Sequence, residues 1–122
     1  MYKVISIGEE NVALLARAST NNYYKSVFHE DPIDLTSGGD VTLSRQIEFS
    51  QELTFIMSKQ AEAQDAVTAG KAPTVRDFMQ TVTEDDYIDW LDRFDYMDLQ
   101  DSLQEAMDVY TTSSKTTSKA KK

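Results

Sequence analysis

Three features of the sequence predict a mainly α (α+β) fold: a small helical domain that opens with a β-hairpin. Residues 2–7, YKVISI, alternate and are rich in β-branched side chains. Residues 41–69 repeat apolar side chains at helical spacing over more than seven turns. Residues 84–110 do so again, around a tryptophan and several other aromatic residues. Taken in order, YKVISI forms the first arm of the hairpin, GEEN at 8–11 the turn, and VALLARA at 12–18 the second arm. Thr20, Asn21 or Asn22 can cap a short helix that sets Tyr24, Val27 and Phe28 on one face. Pro32 is expected to close that helix, and TSGGD at 36–40 to form a turn ending at a capping aspartate, Asp40.

The central helix is expected over about 41–69. Leu43, Ile47, Phe49, Leu53, Ile56, Met57 and Ala61 make a broad apolar face, with Glu48, Glu52, Lys59 and Glu62 away from it. GKAP at 70–73 stops it, and Thr74 starts a short helix carrying Val75, Phe78 and Met79. Thr83 with Asp86 three residues on has the form of a capping box, with Asp where Glu or Gln is preferred. The next helix places Tyr87, Trp90, Leu91 and Phe94 on one stripe, and the last has Leu99, Leu103, Ala106, Met107 and Tyr110. One globular domain over 1–110 follows, with a disordered Ser/Thr/Lys tail over 111–122 that lacks apolar side chains.

Composition restricts the chemistry. The chain has 122 residues and a formal charge of −9. Four of its 12 basic residues (Lys115, Lys119, Lys121, Lys122) fall in the last twelve positions, leaving 8 bases against 21 acids in 1–110, a balance of −13. Phosphate backbones are poor partners for such a body, so nucleic-acid binding is not expected. With no cysteine, thiol catalysis, disulfides and thiolate metal sites are excluded. Apolar runs are too short to span a bilayer and the N-terminus lacks a signal-peptide core, so the expectation is a soluble intracellular protein with no membrane partner.

Segment 84–108 holds ten acids (Glu84, Asp85, Asp86, Asp89, Asp92, Asp95, Asp98, Asp101, Glu105, Asp108) against one base, Arg93. A calcium loop would alternate oxygen ligands around a central glycine, and here there is no glycine. Residues three apart also drift around a helix, so these carboxylates form a sheath and not a cage. Several of them suit helix N-termini, where the dipole favours negative charge. A second reading is mimicry of nucleic acid by spaced carboxylates, blocking a host DNA-binding or defence protein. His29, beside Glu30 and Asp31, reads as a cation at a helix C-terminus, with no nucleophile at hand. No catalytic, cofactor-binding or metal-binding residue is assigned, and the chain is expected not to be an enzyme. Tyr87, Trp90, Phe94, Tyr96 and Met97 are candidates for a partner-binding patch, since aromatics and methionine are enriched in interface cores. The competing reading makes Tyr87, Leu91 and Phe94 simply core.

The order of these pieces resembles a known family. ASTNNYYKSVFHEDPI at 18–33 looks like a helix of pattern T…YR-x-x-FG-x-D, with His29 in place of the glycine. DFMQTVTEDDYIDWLDRFDYMDLQDSLQEAMDVY at 77–110 pairs an acid-rich helix centred on Trp90 with a second amphipathic helix. With the Ser/Thr/Lys tail, this is similar to the tail assembly chaperones of long-tailed (siphovirus-type) phages and prophages of Gram-positive bacteria, similar in role to the lambda G protein. The resemblance implies a protein of the host cytoplasm, absent from the mature virion, whose short form binds the tape measure protein. A ribosomal frameshift would extend some copies to recruit the major tail tube protein. Lys115, Lys119, Lys121 and Lys122 would then lie in the linker into the extension. A homo-oligomer is allowed. The remaining alternative is a structural tail or connector adaptor that stays in the particle.

Overall fold

The computed structural model describes residues 1–37 and 41–120, and the predicted fold class is the observed one. Strands β1 (Tyr2–Ile7) and β2 (Glu10–Leu15) form an antiparallel hairpin in which Ile7 pairs with Glu10, Ile5 with Val12 and Lys3 with Leu14. The turn is only Gly8 and Glu9, shorter than GEEN, because a positive φ of 63° at Gly8 closes the ribbon in two residues. Asp98 presses on this glycine: a Cβ there would lie 2.6 Å from its Oδ2. Ile5, Ile7, Val12 and Leu14 turn inward and are buried.

Helix α1 (Thr20–Phe28) buries Tyr24 and Val27 as its periodicity predicts. Its capping differs from expectation. Ser19 occupies the N-cap without a side-chain bond, while the Thr20 hydroxyl accepts from the Arg17 amide at 2.9 Å and donates to Gln60 at 2.7 Å. Pro32 does not close α1. The helix ends at His29, whose φ of 61° is left-handed and whose amide donates to the Lys25 carbonyl. That is the position at which the resembling pattern has glycine. Pro32 instead opens a helix the sequence did not reveal, α2 (Pro32–Ser37), where a missing amide proton costs nothing, and Asp31 accepts from the Ile33 amide.

Helix α3 (Leu43–Thr68) starts at Thr42, whose hydroxyl accepts from the Arg45 amide at 3.1 Å. The expected cap, Asp40, lies outside the described residues. Every residue from Glu52 to Ser58 is buried. Two assignments on this helix reverse: Leu43 is 73% exposed, and Glu52, expected away from the apolar face, is 7% exposed. Thr74 caps α4 (Val75–Met79). Thr83 and Asp86 form the capping box of α5 (Glu84–Leu91) in both directions, at 3.3 and 2.9 Å. Helix α6 (Tyr96–Ala120) buries Leu99, Ser102, Leu103, Ala106 and Val109. It continues past Tyr110 through the segment expected to be disordered. No glycine or proline follows Tyr110, and extending an existing helix costs far less than nucleating one. Lys121 and Lys122 lie outside the described residues.

The core is threaded by a chain of aromatic contacts. Phe49 meets Tyr24, which meets Phe28. Phe28 meets Tyr87, Tyr87 meets Phe55, Phe55 meets Trp90, and Trp90 meets Phe94, with ring centroids 5.0–5.7 Å apart. All but the tilted Tyr24–Phe28 pair are edge-to-face, an arrangement that adds to the burial of their surfaces. Truncating Trp90 (2% exposed) to alanine should therefore cost about 3–5 kcal/mol of folding stability. After Val109, Tyr110 and Thr112 are half-buried and Thr111 is exposed. Deleting residues 111–122 should change stability by less than about 0.5 kcal/mol. Thermal melts of the two variants check both values, and a large loss on tail deletion would mean that the segment docks on the body.

Candidate partner-binding surface

The five residues singled out as a recognition patch do not stay together. Tyr87 and Trp90 are 7% and 2% exposed, so they build the core and cannot meet a partner in the folded protein. Their helical spacing is the reason: a residue three positions after Tyr87 falls on the same stripe, which faces α3. Phe94, beyond the end of α5, is half-buried against Trp90, with the Arg93 guanidinium over its ring. Tyr96 and Met97, both 64% exposed, remain accessible at the start of α6. Lys115 and Lys119 fall within the backbone span of α6.

An open groove lies further along the same helix. Leu43, Gln46, Ile47 and Ser50 of α3 face Gln100, Leu103, Gln104 and Met107 of α6 across a volume of about 330 Å³. Ile47, Leu103 and Met107 form its floor, continuous with the core, and Leu43 stands exposed on one lip. Gln46, Ser50, Gln100 and Gln104 supply uncharged polar groups, and among the described residues the buried Gln100 Nε2 has no hydrogen-bond partner. Tyr96 continues the α6 line, since Tyr96, Gln100, Leu103 and Met107 are spaced by four, three and four residues. From Tyr96 to Met107 that line is about 16 Å long, or three helical turns. The residues flanking the groove are uncharged, within a segment where every third or fourth residue is acidic. That gap was visible in the sequence. Its pairing with Leu43 and Ile47, more than fifty positions earlier, was not.

The lip contributed by α3 is held in place by a polar cluster. Arg45 Nη1 donates to Glu48 at 2.7 Å and to Glu52 at 3.1 Å, and Nη2 donates to the Tyr24 hydroxyl and to Glu30, both at 3.2 Å. The Tyr24 hydroxyl in turn donates to Glu52 at 2.5 Å. The first turns of α3 are thereby tied to α1 and to the segment after it. Burial pushes the Glu52 carboxyl above the usual carboxylate range, with the Tyr24 hydrogen bond and Arg45 pulling the other way. Burial, aided by Glu52, raises the Tyr24 hydroxyl far out of its ordinary range and keeps it a donor.

Among the described residues no helix is long and apolar enough to cross a membrane. No protein-family model, curated protein or solved structure matches the chain.

Breaking the cluster from one side should be severe. Arg45→Ala leaves the Glu52 carboxylate buried without its cation. The expected loss is about 3 kcal/mol near neutral pH, the low end for a buried pair because the Arg45 side chain is 21% exposed. A carboxyl whose folded pKa is raised binds its proton more readily when folded, so its unfavourable contribution appears as pH rises and fades as pH falls through that pKa. The Arg45→Ala deficit should therefore shrink on acidification toward pH values at which Glu52 is protonated. Denaturant titrations of wild type and variant at several pH values check the sign.

Proposed function

We propose that this chain is a non-enzymatic phage tail assembly chaperone that binds the tape measure protein and keeps it soluble before the tube encloses it. The observation that carries the reading is an uncharged, partly apolar groove set in a strongly acidic body. A long helical client with exposed apolar seams needs a protein that covers a short stretch of seam and keeps neighbouring complexes apart. The α3–α6 groove suits the first task, because an amphipathic helix can lay about three turns along Tyr96, Gln100, Leu103 and Met107 against Ile47 and Leu43. A body charge of −13 suits the second through like-charge repulsion.

The tail tube protein would be recruited through an extended form, with Lys115, Lys119, Lys121 and Lys122 in the sequence that links the domain to the extension. Work of this kind belongs in the host cytoplasm, and the chaperone leaves before the virion is complete. The resemblance at 18–33 and 77–110 supports this reading over an acidic decoy for a DNA-binding protein, since a decoy has no use for an apolar groove.

Co-expression with the tape measure protein should increase its soluble fraction several-fold. Leu43→Asp should abolish most of that gain while changing folding stability by no more than about 0.5 kcal/mol, because Leu43 is already 73% exposed. A tape measure protein equally soluble with and without the chain would remove the proposal. Recovery of the chain in fixed stoichiometry from purified virions would favour a structural adaptor instead.

A further inference from the structure

The hairpin strands bond to each other and expose an outer edge. Ile7 pairs with Glu10, and Met1 exchanges both backbone hydrogen bonds with Ala16. Residues 1, 3, 5 and 7 therefore turn their backbone groups toward β2, and Tyr2, Val4 and Ser6 turn theirs outward. Among the described residues, nothing pairs with those outward amides and carbonyls. The far edge of the hairpin is different, because Asn11, Val12 and Ala13 of β2 lie across a cleft from Ser58, Ala61 and Glu62 of α3. The β1 edge is the more exposed of the two, with Tyr2, Lys3, Val4 and Ser6 exposed against Asn11 alone on β2.

Two chemistries border that edge. On the outer face, Tyr2 and Val4 are 58% and 50% exposed. On the inner side runs a row of α6 carboxylates. Asp98 touches Gly8 at the hairpin tip, and Glu105 pairs with Lys3 at 3.4 Å, which fixes the row alongside β1. Asp101 and Asp108 continue it at spacings of three, and both are exposed. Lys3 neutralises one of the four.

We propose that the β1 edge is a docking site for an extended segment of a partner protein whose side chains alternate basic and apolar. The segment pairs its main chain with Tyr2, Val4 and Ser6 and so adds a third strand to the hairpin. Side chains opposite Tyr2, Val4 and Ser6 fall on the outer face and take apolar contacts. Those between them fall on the inner side, where Lys or Arg meets Asp98, Asp101, Glu105 and Asp108. A second copy is the poorer occupant, because pairing β1 with β1 brings together two chains of charge −9 and sets their acid rows side by side. The edge lies on the opposite flank of α6 from the groove, so this site stands or falls independently of the tape measure reading.

The test is amide hydrogen exchange on the full-length chain titrated with three capped heptapeptides: alternating basic (KVKVKVK), alternating acidic (EVEVEVE) and a basic block (KKKKVVV). The basic alternating peptide should slow exchange of the Tyr2, Val4 and Ser6 amides by about tenfold or more, less so at high salt. The other two peptides should leave those amides unchanged. In the double variant Asp101→Lys, Asp108→Lys, whose sites are exposed, the preference should pass to the acidic peptide. Absence of protection at saturating peptide, equal protection by the acidic peptide, or protection that grows with protein concentration alone would each overturn the proposal, the last in favour of a second copy.

Discussion

The constraint on which the fold depends is the enclosure of α3. A helix of 26 residues, about 39 Å long, is more than a domain of this size can bury by folding one partner against one face. The chain solves this by wrapping. Strand β2 and helices α1, α2, α4, α5 and α6 all pack on α3, so the stretch from Glu52 to Ser58 has no side open to water. Phe55 shows what enclosure achieves: its ring touches Phe28, Tyr87 and Trp90, which belong to two other helices. Enclosure also makes Glu52 expensive, since a carboxylate in that stretch must bring its own cation. Arg45 and Tyr24 fill that need, and doing so fixes how α3 begins.

Once α3 is covered, what remains exposed is selective. On its first two turns, although Arg45 ties them to α1, Leu43 stays in solvent and Ile47 is half-buried beside α6. The acids of 84–108 are not spread evenly either. Some begin helices, as Glu84, Asp85 and Asp86 do in α5, where the dipole favours them. Others line the flank of α6 toward the hairpin. The flank of α6 toward α3 is uncharged over the length of the groove. A surface with its charge set aside from one apolar channel is what a protein needs if it is to hold an aggregation-prone helix while staying apart from its own copies.

Much of this architecture was legible in the residues themselves. The β-branched run of 2–7, the Thr83–Asp86 box and the stripe of Tyr87 and Trp90 each state a local preference that tertiary packing did not override. Failures occurred where a local signal has two meanings. Pro32 can stop one helix or start the next, and the left-handed turn at His29 decided for the second. Periodicity separates a buried from a wet face, yet α3 is buried all round near its centre, so Glu52 was placed outside and Leu43 inside. The groove was illegible for a different reason. Ile47, Leu103 and Met107 look like any core residues until α3 and α6 lie side by side. The open β1 edge likewise depends on where α3 and α6 sit, which no property of YKVISI encodes.

The central claim is that a client helix lies in the α3–α6 groove, and site-specific photocrosslinking tests it most directly. A photoreactive amino acid placed at Leu43, in cells producing the tape measure protein, should capture that protein, whereas the same group at Lys71, beyond the far end of α3, should capture little. Equal capture from both positions, or none from position 43 while the two proteins still co-purify, would contradict the account.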